Sequence, residues 1–92
     1  MNQSFEVLQV DAWADGDGWV TNDVNVLGYF STKGNPRRAL IQFLKEKGIT
    51  FNKGAVDVED DGDYLTVVER KSRRPLFDAR YEWEVQACIR NI

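Results

Sequence analysis

The chain has 92 residues, of which 42% are hydrophobic and 29% charged, and it carries a formal charge of −3, one cysteine and no histidine. That length predicts one domain burying about two thirds of the surface of its unfolded chain, and three Trp, three Tyr and five Phe exclude a disordered composition. A lone Cys88 excludes an internal disulfide and a cysteine-based zinc site, and without an imidazole to activate it the thiol reads as a small buried hydrophobe.

Phe5 to Ala14 reads as the first strand, with Leu8, Val10, Ala12 and Ala14 in alternation. Phe5 and Val7 fall in the opposite phase, so a bulge near Val7 is expected to bring both sets to one face. Asp15-Gly16-Asp17-Gly18 is a turn, and Trp19 to Ser31 resumes as a second strand. There Val20, Val24, Val26 and Phe30 are expected to share the core face, with Gly28 as a bend between them. Trp13 and Trp19 flank the tip of this hairpin.

A helix follows, with Asn35 as its cap, Pro36 in its first turn and Gly48 at its left-handed end. Leu40, Ile41, Phe43 and Leu44 form its apolar stripe, and Ile49 is placed to fold back on it. Val56 and Val58 open a third strand, and Asp61-Gly62 reads as a two-residue hairpin turn that would set Glu69 near Gly54. Leu65 to Val68 is the fourth strand. After a tight connection at Lys71 to Pro75, Phe77, Ala79, Tyr81, Trp83, Val85 and Ala87 alternate with polar residues in the fifth. The sum is an α+β domain of order β-β-α-β-β-β, a mainly antiparallel twisted sheet with one helix packed on one face. Its strand order cannot be deduced. No apolar run has the length of a bilayer span, which predicts a cytosolic protein with no membrane partner.

The charges cluster. Acidic residues gather at Asp11, Asp15, Asp17 and Asp23 and from Asp57 to Asp63; basic ones gather from Lys33 to Arg38 and from Arg70 to Arg74. Faces of opposite sign are expected. Asp57, Glu59, Asp61, Gly62 and Asp63 match the opening of a calcium loop, but Val68 stands where the closing carboxylate belongs, so a solvated hairpin tip is preferred and no metal or cofactor is expected. Glu69-Arg70-Lys71 has the Glu-x-Lys spacing of carboxylate-metal nucleases, yet an Asp on the adjacent strand is wanted beside Glu69 and the acidic tip lies at the far end of the hairpin. No enzyme is therefore expected.

Three groups remain as binding candidates. Arg70, Lys71, Arg73 and Arg74 make a basic and flexible hairpin tip suited to phosphates, although the overall negative balance favours a merely solubilising role. Arg37 and Arg38 occupy the first helical turn, where cations oppose the dipole. With Lys33 and free helix amides they suit an anionic group of a partner, unless a neighbouring Asp or Glu neutralises them. Trp13 and Trp19, beside Asp15 and Asp17, form either an interface anchor or a cross-strand pair that pins the hairpin.

The stretches Val10-Asp11-Ala12-Trp13 to Gly18-Trp19, and Asp61-Gly62-Asp63-Tyr64 through Glu69-Arg70-Lys71 to Arg74-Pro75-Leu76, resemble segments of short uncharacterised proteins of phages and mobile elements of Gram-positive bacteria. The resemblance covers about half of the chain and carries no catalytic residues. It implies a small accessory protein that binds a host or phage macromolecule, a class that includes anti-CRISPR inhibitors. The expected function is thus a non-enzymatic module that binds a protein. Nucleic-acid binding through Lys33, Arg37, Arg38 and Arg70 to Arg74 is the alternative, and a metal-dependent nuclease a more distant one.

Overall fold

The computed structural model describes residues 3–62 and 64–81. They form β1 (Gln3–Asp15), β2 (Gly18–Thr32), α1 (Pro36–Glu46), β3 (Val56–Asp60), β4 (Tyr64–Glu69) and β5 (Pro75–Tyr81). The five strands make one antiparallel sheet in the order β2-β1-β5-β4-β3, with the helix on one face, an α+β fold. The continuation expected through Trp83, Val85 and Ala87, and the burial expected of Cys88, lie outside the described residues.

Both phases of β1 are used. Its register with β2 breaks between Val7 and Leu8 and again between Asp11 and Ala12. In each case the extra residue belongs to β2, Leu27 in the first and Asn22 in the second, while pairing with β5 runs unbroken from Phe5 to Gln9. The break near Val7 therefore does not bring the two sets of side chains to one face. Phe5 and Val7 join the cluster under the helix, whereas Leu8, Val10 and Ala12 are buried in the other phase, outside that cluster. A strand paired on both sides can bury both faces, so a strict alternation is not required of it.

The same two insertions undo the face expected of β2. Phe30 stands opposite Phe5 on the helix side, but Val24 and Val26 stand opposite Val10 and Leu8 on the other side. Val20, Val24 and Val26 are all exposed, as an edge strand allows. Gly28 lies at the first insertion with φ of 147°, and a Cβ there would stand 3.2 Å from the Phe43 ring. Glycine is required at that point for both reasons.

The helix is built by local chemistry. The Asn35 side chain accepts the Arg37 and Arg38 amides, Pro36 fills a first-turn position that needs no donor, and Gly48 takes φ of 84°. The Ile49 amide then donates to the Leu44 carbonyl at 2.9 Å and the Gly48 amide to Lys45 at 3.0 Å, the paired bonds of a Schellman ending. Leu40, Phe43 and Leu44 point down into Phe5, Val7, Leu65, Val67, Phe77 and Ala79. Aromatic rings run through this layer: Phe5 stacks on Phe30 at 4.9 Å and Phe43 meets Phe30 at 5.7 Å. Removing a ring from such a position costs on the order of 3–5 kcal/mol.

The second hairpin closes later than its sequence suggests. Asp60 stands opposite Leu65 and Glu69 opposite Val56, a register displaced by two residues from that of a turn centred on Asp61-Gly62. Asp60 accepts the Gly62 amide and Asp61 the Tyr64 amide, so side-chain bonds to the backbone carry the reversal.

Candidate functional site

The helix lies toward β2, where Phe43 closes over Gly28, and this leaves the β3 end of the same face less covered. An open groove of about 840 Å³ runs between α1 and β3. Its helical wall is Arg37, Arg38, Ile41 and Lys45, which at spacings of three and four share one side of the helix. Its other wall is Val56 to Glu59 and Arg73. A second recess of about 420 Å³ continues past Ile41, Val56 and Val58 to Ile49 and Phe51. The channel thus has two arginines toward the start of the helix and, toward its end, a mainly apolar lining with Lys45 at its margin.

The two basic segments differ sharply in their partners. Asp57 receives Arg70 through Nη2 at 2.7 Å and Nε at 3.0 Å, and Arg73 through Nη1 at 2.9 Å. Arg73 also pairs with Glu59. Arg74 reaches Asp11 at 4.0 Å, the outer limit of an ion pair. The hydrogen bond from Arg70, with its charge and that of Arg73, holds the Asp57 carboxyl below its usual range against the opposing effect of burial. Faces of opposite sign do not form here: the hairpin register brings the acidic and basic segments together. The β4–β5 connection is also tied down, with Glu69 N–H donating to Arg74 O, Arg73 N–H to Glu69 O and Ser72 Oγ to Glu69, all at 2.8 Å. Arg73 is held at φ of 63°. The flexible basic tip expected from the sequence is instead a bonded loop, in which Lys71 alone of the four cations makes no ion pair among the described residues.

Arg37, Arg38 and Lys45 make no ion pair among the described residues. The carboxylates that line the groove with the helical arginines are Asp57 and Glu59, and both are already engaged by the β4–β5 loop. The amides of Arg37 and Arg38 are not free, because Asn35 accepts both. An anion approaching this turn would therefore meet guanidinium groups and not backbone donors. Lys33 is exposed beyond the groove, in the bend after β2.

The two tryptophans do not act as a pair. Trp13 stands opposite Val20 and Trp19 opposite Ala14, which puts them on opposite faces of the hairpin. Trp19 donates its indole N–H to the Ser72 carbonyl at 3.1 Å and so fastens this tip to the basic loop. Trp13 is half exposed, and Asp15 and Asp17 are exposed at the turn.

Glu69 accepts from Ser72 and pairs with Val56, while Asp57 stands opposite Val68 and is held by arginines, so the elements of a Glu-x-Lys metal site are not assembled around Glu69. Among the described residues no three His, Cys, Asp or Glu side chains stand where they could share an ion. Among the described residues no helix is long and apolar enough to cross a membrane.

No protein-family model, curated protein or solved structure matches this chain. The candidate site accordingly rests on geometry. Ile41, Lys45, Val56 and Val58 join the groove unannounced by any motif. The spacing of Arg37, Ile41 and Lys45 could have marked the helical wall, but nothing local marks β3 as the outer strand.

Proposed function

We propose that this chain is a non-enzymatic module that binds a protein partner in the groove beside α1, with Arg37 and Arg38 as its charged anchors. The observation that supports this most directly is the selective pairing of the arginines. Those of the β4–β5 loop are answered by Asp57, Glu59 and Asp11, and those of the helix make no ion pair among the described residues, at a position where they oppose the helix dipole. Cations kept at such a position without a partner among the described residues fit an external one. In this reading the chain is a small accessory protein of a phage or mobile element, acting in the host cytoplasm.

The test is affinity capture from a host lysate with the intact chain as bait, repeated with Arg37→Glu/Arg38→Glu and with Trp13→Ala. Loss of the captured protein with the arginine variant and its retention with Trp13→Ala is the expected outcome. Equal capture by all three baits would count against the groove, and no capture by any would count against a binding module. The nucleic-acid alternative is less well supported, since the loop arginines it requires are already matched by carboxylates; a mobility shift at low salt that vanishes as salt is raised would restore it. Cleavage of DNA on incubation with magnesium, abolished by Glu69→Gln, would restore the nuclease.

A further inference from the structure

The outer margin of the groove is a strand edge. β3 is last in the sheet, and its pairing with β4 is fixed at both ends: Arg70 N–H donates to Ala55 O at 2.9 Å and Asp61 N–H to Tyr64 O at 3.2 Å. In an antiparallel ladder the inward-bonding residues alternate, so Ala55, Asp57, Glu59 and Asp61 direct their amides and carbonyls to β4. Val56, Val58 and Asp60 direct theirs outward. A row of donors and acceptors left unanswered among the described residues is a template for another strand.

Resting on the reading of the chain as a protein-binding module, we infer that its partner contributes an extended acidic segment that adds to β3 as a sixth strand. Length and charge both fit. The outward groups of Val56 to Asp60 span about 13 Å at roughly 3.3 Å per residue, and Arg37 to Lys45 covers about 12 Å of helix at 1.5 Å per residue. The two walls therefore run alongside each other for about four or five residues of extended chain. Arg37, Arg38, Lys45 and Arg73 line the channel with Asp57 and Glu59; Arg73 is spent on those two carboxylates, and the other three cations make no ion pair among the described residues. Near the start of the helix a bound strand is offered guanidinium groups for its own carboxylates. Near the end of the helix it is offered Ile41, Val56, Ile49 and Phe51 for an apolar side chain. Main-chain bonds would supply affinity, and the order of charged and apolar surface along the groove specificity, as in other cases of strand addition.

A second copy of the chain is the other strand at hand, since Val56-Asp57-Val58-Glu59-Asp60 also alternates. Two-fold pairing through β3 would bring two arginine-rimmed helices to one seam and supply neither with a carboxylate. An acidic partner answers those arginines, which favours it over a second copy.

The experiment is selection of short random peptides on the intact immobilised chain, followed by fluorescence anisotropy with the enriched sequence. Enrichment of peptides with Asp or Glu toward one end and an apolar residue toward the other is expected. Binding should weaken by about tenfold or more with Arg37→Glu/Arg38→Glu, and by a similar factor when the peptide is N-methylated at alternate amides to remove its donors. Hydrogen exchange at Val56, Val58 and Asp60 should slow when the peptide binds. Enrichment of basic peptides, no enrichment, or indifference to N-methylation would each overturn the proposal. So would a dimer in sedimentation that Val58→Pro dissolves, which would assign the edge to a second copy. Peptide selection failing while lysate capture still depends on Arg37 and Arg38 would sink strand addition and leave the binding module standing.

Discussion

The chain holds two arginine-rich segments of similar composition and opposite circumstance. In the β4–β5 loop Arg70 and Arg73 converge on Asp57, Arg73 reaches Glu59 and Arg74 approaches Asp11. At the start of α1, Arg37 and Arg38 face no acid at all in the first turn, and the carboxylates across the groove are taken. The lesson is that a basic run has no meaning until its register is known. The loop arginines serve the sheet by tying β3 to the β4–β5 connection, and the helical arginines serve nothing within the described fold.

The largest contrast should come from reversing the helical pair. Arg37→Glu/Arg38→Glu is expected to lower peptide binding by about tenfold or more. It should leave the thermal midpoint unchanged or raised, because each acid now favours the helix dipole by about 0.3–1 kcal/mol. A fall in the midpoint would mean that these arginines have a structural duty. Next is the cap. Asn35→Ala removes the acceptor of the Arg37 and Arg38 amides and should cost about 1 kcal/mol, a drop of roughly 4–8 °C for a domain of this size. It also frees those amides, so a gain in peptide binding would show that backbone donors can be recruited beside the guanidinium groups.

How much of these two segments is legible in the sequence depends on the range of the interactions. The helix was legible end to end because Asn35, Pro36, Gly48 and Ile49 act on neighbours within a few residues. The α+β class and the antiparallel pairing of consecutive strands were legible from turns and alternation. The two-faced burial of β1 was not, since the residues that shift the register, Leu27 and Asn22, lie on its partner. The ion pairs of Asp57 were hidden by a register displaced by two residues, and the groove by the place of β3 at the edge, which only the full strand order decides. Of the candidate residues, Arg37 and Arg38 meet in one groove with Arg73. Trp13 and Trp19 are separated, and the basic loop is matched by acids no local pattern assigned to it.

Smaller effects should follow acid titration, and two carboxylates should respond with opposite sign. Arg70 holds the Asp57 carboxyl below its ordinary 3.8, so its contribution is present above that pH and is lost as pH falls through the lower folded value. Asp57→Asn should accordingly lower the midpoint at pH 7 and converge on the parent in strong acid, the loss being modest for so exposed a pair. Asp78 is the reverse: burial pushes its carboxyl above 3.8, against the hydrogen bond from Thr66 and the charge of Arg80. Its contribution is fully present below 3.8 and lost as pH rises through the higher folded value. Asp78→Asn keeps an acceptor for Thr66 and removes the buried charge, so its midpoint should sit slightly above the parent at pH 7 and approach it in acid. Midpoints for the three proteins between pH 7 and pH 3 check both signs. If Asp78→Asn lowered the midpoint at pH 7, the Asp78 charge would have a partner that outweighs its burial. If Asp57→Asn were neutral there, the loop arginines would be as free as the helical ones, and the contrast between the two segments would fail.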